Sequence, residues 1–152
     1  MKQRILLVED EAIIALAERR TLESAGYDVL VAHSGEKAIS ILSESSVDLV
    51  LMDIDLGRGI DGTTAAETIL ATRELPVVFL SSHTEPEIVE KTEGITSYGY
   101  IVKSSGSVVL LAAIRMAFRL FEARRQLKIE LLERRRVEEA LRNGNEHLAT
   151  LV

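Results

Sequence analysis

Four short apolar runs in this chain each end on a polar residue of chemical consequence. Ile5-Leu6-Leu7-Val8 runs into Glu9-Asp10, Val47-Asp48-Leu49-Val50-Leu51-Met52 into Asp53, Val77-Val78-Phe79-Leu80 into Ser81, and Tyr100-Ile101-Val102 into Lys103. Runs of β-branched and aliphatic residues that alternate with helical-period segments read as buried parallel strands. The carboxyl ends of such strands share one rim of the sheet, where ligands bind. Three carboxylates, a hydroxyl and an ammonium, distant in sequence, are therefore expected in one pocket.

Periodicity places strands near 4 to 8, 28 to 32, 48 to 52, 76 to 80 and 99 to 102, with helices between them. The first helix, 11 to 25, is expected to turn Ile13, Ile14, Leu16, Ala17 and Leu22 inward and to stop at Gly26. The second takes Ser34 as its N-cap and buries Ala38, Ile41 and Leu42. The third follows Gly62, with Ala65, Ala66, Ile69 and Leu70 on its apolar face, and Pro86 suits the first turn of a fourth helix kept short by Gly94. Five strands alternating with helices predict an α/β fold, a doubly wound (βα)5 parallel sheet covered on both faces.

The last helix should start near Ser107 and bury Leu110, Leu111, Ile114 and Phe118, yet no Gly or Pro interrupts it before Gly144. A helix that long exceeds what packing on one domain requires. Leu120, Ala123, Leu127, Leu131, Arg134, Val137 and Leu141 recur at steps of three or four, a heptad seam with a stutter near Leu131. The chain thus divides into a globular domain, 1 to 121, and a helical, coiled-coil-like linker, 122 to 152, frayed near its end. Pairing of that extended C-terminal helix with a second copy of itself is expected, against the alternative of a lone charged helix.

Charge and composition narrow the function. The chain of 152 residues carries a formal charge of −6, and 47% hydrophobic content supplies a real core. Residues 1 to 121 hold 11 Lys and Arg against 18 Asp and Glu, and residues 122 to 152 hold 7 against 6. An acidic globular part repels phosphate backbones, so no nucleic-acid partner is expected, and glutamates flank the Arg134-Arg135-Arg136 cluster. With no cysteine there is neither a disulfide framework nor a thiolate metal site. The amino terminus lacks a signal-peptide core and no apolar run reaches membrane-spanning length, so a cytoplasmic chain with no membrane segment is expected.

Glu9, Asp10 and Asp53 at neighbouring strand ends would raise one another's pKa, and a cation relieves them. All-oxygen ligands in a small site point to a hard divalent ion, Mg²⁺ with Mn²⁺ as a substitute. Taken singly, Glu9 or Asp10 could instead cap the first helix.

From about residue 3 to 121 these residues resemble a response-regulator receiver domain. The acidic pair matches Glu9 and Asp10, the phosphoacceptor matches Asp53, the strand-four hydroxyl Ser81 and the strand-five lysine Lys103. The resemblance implies a flavodoxin-like strand order 2-1-3-4-5 and phosphoryl transfer to Asp53 from a histidine kinase or phosphotransfer domain. It implies Mg²⁺ held by Asp10, Asp53, the backbone carbonyl of Asp55 and, through water, Glu9. Lys103 and Ser81 would take phosphoryl oxygens, and Tyr100 matches the switch aromatic. Ser82 and Thr84 are expected to cap their loop, and His83 to affect access of water. Such a module is regulatory rather than an enzyme, catalysing only its own phosphorylation and dephosphorylation.

Three departures stand out. Ile54 to Gly62 is longer than the usual loop and lacks proline, Ser104-Ser105-Gly106 replaces the usual proline after Lys103, and Gly94 to Gly99 lacks the usual small-residue pattern. The loop with Gly57, Gly59 and Asp61-Gly62, His83-Thr84-Glu85 and Lys103-Ser104-Ser105-Gly106, with Glu133 to Arg142, resemble receivers placed ahead of PAS and histidine-kinase modules, so the chain reads as the amino-terminal part of a longer sensor kinase or regulator. Two alternatives remain: a degenerate receiver acting as a dimerisation scaffold, and a phosphatase with an aspartyl nucleophile, for which Asp55 would be the second acid.

Overall fold

The computed structural model describes residues 2 to 82, 85 to 96 and 98 to 151, with side chains given as far as 145. His83 and Thr84, and the roles expected of them, lie outside the described residues. Five strands, β1 Arg4–Val8, β2 Asp28–Ala32, β3 Leu49–Asp53, β4 Val77–Ser81 and β5 Tyr100–Val102, form one parallel sheet in the order β2-β1-β3-β4-β5. Five helices connect and follow them: α1 Ala12–Ser24, α2 Gly35–Glu44, α3 Gly62–Leu70, α4 Pro86–Ile95 and α5 Ser107–Leu151. This is the doubly wound, flavodoxin-like arrangement that the sequence predicts.

The two-residue period of the strands divides the core. Leu6, Val8, Val50, Met52 and Phe79 pack with Ala38, Leu42, Ala65 and Ile69 of α2 and α3, and Ile88 of α4 joins that layer. Ile5, Leu7, Leu49, Leu51, Val78 and Ile101 pack with Ala15 and Leu22 of α1 and Leu110 and Ile114 of α5. Both faces are thus covered, which is why these strands read as continuous apolar runs rather than alternating ones. Phe118 of α5 stacks on Tyr27 with ring centroids 5.9 Å apart.

Local capping sets where helices begin. Ser34 accepts a hydrogen bond from the Lys37 amide at 3.1 Å, as expected of an N-cap. Asp61 accepts from the Thr64 amide at 2.8 Å and from the Thr63 hydroxyl at 2.8 Å, so α3 starts at Gly62 itself. Pro86 occupies the first turn of α4. Gly94 does not end that helix, which runs to Ile95 and equals α2 in length. An exposed glycine lowers helix propensity without blocking the helical hydrogen bond, and here the helix ends one residue later.

The expected face of α1 needs correction. Ala15 and Leu22 are buried, but Ile13 is 85% exposed, Leu16 is 49% exposed and Ala17 faces solvent. At roughly 100° per residue Ile13, Leu16 and Ala17 share one side of the helix, opposite Ala15 and Leu22, so α1 carries apolar residues on both sides and apolarity alone does not choose the face. The turn that leaves β1 sets the phase, with the Glu11 amide donating to Glu9 Oε1 at 3.2 Å.

Packing resolves the chain into two units, Met1–Phe118 and Arg119–Val152. The second is the continuation of α5, helical through Gly144 to Leu151, with Leu127, Leu131 and Leu141 between 49% and 63% exposed.

Gly62 is the tightest approach in the fold. A Cβ there would stand 2.0 Å from the Asp53 carbonyl oxygen, where only backbone could give way. Gly62→Ala is expected to destabilise the domain by about 2–4 kcal/mol, read as a lowered denaturation midpoint, whereas Gly94→Ala, with open space around it, should leave stability unchanged or raise it.

Candidate functional site

Parallel register brings the predicted residues together. β1 ends at Val8 opposite Met52, so Glu9 follows β1 beside Asp53 on β3. Asp53 pairs in register with Leu80, and Ser81 with Val102, so the hydroxyl and the lysine that follows Val102 meet the same rim. Glu9, Asp53 and Ser81 are fully buried.

The ammonium of Lys103 joins the acids. Its Nζ donates to Asp53 Oδ2 at 2.8 Å and to Glu9 Oε2 at 3.1 Å. The second oxygen of each acid is also used: Asp53 Oδ1 accepts from the Asp55 amide at 3.0 Å, and Glu9 Oε1 accepts from the Glu11 amide. His33 Nδ1 lies 3.0 Å from the Glu9 carbonyl oxygen, a contact that requires the proton on that nitrogen. Glu9, Asp10 and Asp53 each present an oxygen, all within 4.8 Å of one another.

The loop between β3 and α3 is held from two sides. Glu36 of α2 accepts from the Ile60 amide at 2.7 Å, and Gly57, at φ +70°, passes so close to Asp10 that an added Cβ would meet its Oδ2 at 3.0 Å. The loop thus lies against the acidic cluster without a proline to stiffen it. Asp55 sits in this loop, exposed, with its amide turned to Asp53. Tyr100 is half-buried on β5, in register with Phe79.

Electrostatics show how strained this grouping is. Burial, then the hydrogen bond and charge of Asp53, push the Glu9 carboxyl up to about 8 from its usual 4.5, against the opposing pull of Lys103. Burial also opposes the Lys103 charge, but the hydrogen bonds and charges of Asp53 and Glu9 outweigh it and raise its pKa. One ammonium would not compensate all three carboxyls in their charged forms, and the donor set of hard oxygens fits a small divalent cation.

Three residues were not singled out in the sequence. Glu36 and His33 brace the site through backbone contacts that no motif announces. Glu18 of α1 is the third, a carboxyl that burial pushes up to about 7, the Lys103 charge opposing and the Asp53 charge adding. Its signal was its place between Ala15 and Leu22 at helical spacing.

A parallel five-stranded sheet whose carboxyl rim gathers an acidic trio, a hydroxyl and a lysine defines a receiver-type module. Residues 5–115 match the response regulator receiver domain, and the chain belongs to that family, the regulatory modules of two-component systems. It is 32% identical over 120 residues to the transcriptional regulatory protein PdtaR of Mycobacterium tuberculosis, covering 78% of this chain and 58% of that protein. The chain therefore spans little more than half of that relative's length. Among solved structures, the N-terminal domain of a response regulator/sensory box/GGDEF three-domain protein from Carboxydothermus hydrogenoformans is 46% identical, with TM-score 0.75, covering 80% of this chain and 98% of that one. A fusion carrying a yeast trimeric coiled-coil segment is 42% identical, with TM-score 0.81, over 94% of this chain and 96% of that one. No helix among the described residues is long and apolar enough to cross a membrane.

Both raised carboxyls hold protons in the folded state that the unfolded chain releases above its ordinary 4.5. Their contribution to stability is complete below that pH and is lost as pH rises toward about 8. Calorimetry in chelator should show the melting temperature falling between these limits, with a smaller fall in Glu18→Gln.

Proposed function

We propose that the chain is the phosphoacceptor receiver of a two-component phosphorelay, with Asp53 as the nucleophile. The observation that carries this reading is the Lys103 ammonium shared between Asp53 and Glu9, beside three carboxylate oxygens within 4.8 Å of one another. Asp53 Oδ attacks the phosphorus of a phosphohistidine on a histidine kinase or phosphotransfer domain. The P–O bond forms as the P–N bond breaks, and the imidazole nitrogen keeps the electron pair. Charge in such a transfer spreads over three equatorial oxygens, so catalysis is positioning and neutralisation. Lys103 pairs with one oxygen and the Ser81 hydroxyl with another. Asp10, Asp53 and the Asp55 carbonyl, with Glu9 through water, are the residues that would hold Mg²⁺ or Mn²⁺. That ion supplies neutralisation of the remaining phosphoryl charge.

Tyr100 is the aromatic we assign to the response, moving inward as Ser81 turns to the phosphoryl group. Residues 1 to 121 form the receiver and 122 to 152 its helical output linker, and α5 pairs with a second copy through Leu120, Leu127, Leu131 and Leu141. These leucines are exposed at helical spacing, and pairing would bury them. The three-domain protein whose amino-terminal domain resembles this chain supports placing it at the front of a longer cytoplasmic sensor kinase or regulator.

Mass spectrometry after incubation with acetyl phosphate and Mg²⁺ should show one added phosphoryl group in wild type and none in Asp53→Asn. Lys103→Ala should slow the gain by about 10²-fold. No gain in wild type would favour the scaffold, and turnover of small phosphoesters would favour the phosphatase.

The linker has its own test. Leu127→Lys with Leu131→Lys should shift sedimentation from dimer to monomer while leaving phosphorylation intact.

A further inference from the structure

α1 turns Ala15, Glu18 and Leu22 toward the sheet, and the middle residue of that stripe is a carboxylate. Glu18 Oε2 is buried and has no hydrogen-bond partner. A carboxylate oxygen left so costs stability that an apolar residue at the same place would not. The side chain lines a cavity of about 160 Å³ together with Thr21, Ile101, Lys103 and Gly106.

Lys103 therefore stands between two groups of acids. Its ammonium is given to Asp53 and Glu9, and the same residue lines the cavity that Glu18 also lines. Its charge is felt at Glu18, where it opposes the effect of burial. A lysine carries three donors on a flexible four-carbon stem, so it can change acceptors without movement of the backbone.

We infer that Glu18 is a second seat for the Lys103 ammonium, taken up when Glu9 and Asp53 turn to a divalent cation. The inference rests on the metal-dependent reading of the acidic site proposed above. A cation held by Asp10 and Asp53, with Glu9 through water, would compete with the ammonium for the Asp53 carboxylate and repel it. Glu18 then offers an acceptor along the same cavity, and the exchange would give its buried Oε2 a donor and favour its charged form. Glu18 is on this account a positioning residue, acting on the site only through Lys103.

A double-mutant cycle on Mg²⁺ affinity tests this, using the full chain as wild type, E18Q, K103Q and the double variant in titration calorimetry. E18Q should weaken Mg²⁺ binding by about three- to tenfold in the wild-type background and hardly at all beside K103Q. In protein labelled with ¹⁵N-lysine, Mg²⁺ should shift the Lys103 ammonium resonance of wild type and keep it protected from solvent, whereas in E18Q the protected signal should vanish. Thermal melting checks that E18Q is folded, and E18M replaces it if it is not. Equal weakening in both lysine backgrounds would mean that Glu18 acts only through its distant field, and unchanged affinity in E18Q that it does not act. Either result overturns the inference. Failure of the wild type to bind Mg²⁺ would overturn the metal-dependent reading itself.

Discussion

The ammonium of Lys103 on the buried oxygens of Asp53 and Glu9 is the contact around which this molecule is arranged. Two carboxyls with almost no exposure cannot both stay charged in a closed site without a cation, and breaking such a pair leaves an uncompensated charge behind. The sheet order meets this requirement. With β1, β3 and β4 adjacent and β5 at the edge, the ends of four strands meet at one rim and the lysine reaches across it. Each acid spends its other oxygen on a backbone amide two residues ahead, so the loops leaving β1 and β3 are tied to the same charges.

How much of this was legible depends on which physical signal was strong. The strand ends were, because an apolar run buried on both faces is unambiguous and a polar residue closing it has only one rim to go to. Ser34 and the start of α3 were also legible, since capping is local chemistry. The face of α1 was not. Six apolar residues between 13 and 22 are spread around the helix, and the choice among them is made by the turn after β1, a tertiary fact. Glu18 escaped for the same reason: it reads as one more charged residue on a surface helix until the phase of α1 places it against β5.

The part beyond Phe118 shows the opposite balance. There the sequence speaks plainly of helix, and α5 is helical to Leu151. A single helix cannot bury its own leucines, however, so their exposure is a property of one chain considered alone. The alternating arginines and glutamates keep such a segment dispersed in water, while the leucines supply what a partner helix would need.

The three residues of β5 hold to the sheet on one side only, through their pairs with Phe79, Leu80 and Ser81. Asp53, by contrast, sits on a strand flanked by β1 and β4. Displacing β3 would cost two ladders and the centre of both core layers; displacing β5 costs one short ladder. The anchor of the site is therefore built into the stiffest strand and its movable wall into the most weakly tethered one. Tyr100 stands on that wall and packs in the α2 and α3 layer, so a shift of β5 disturbs less of the sheet than a shift of any strand beside Asp53.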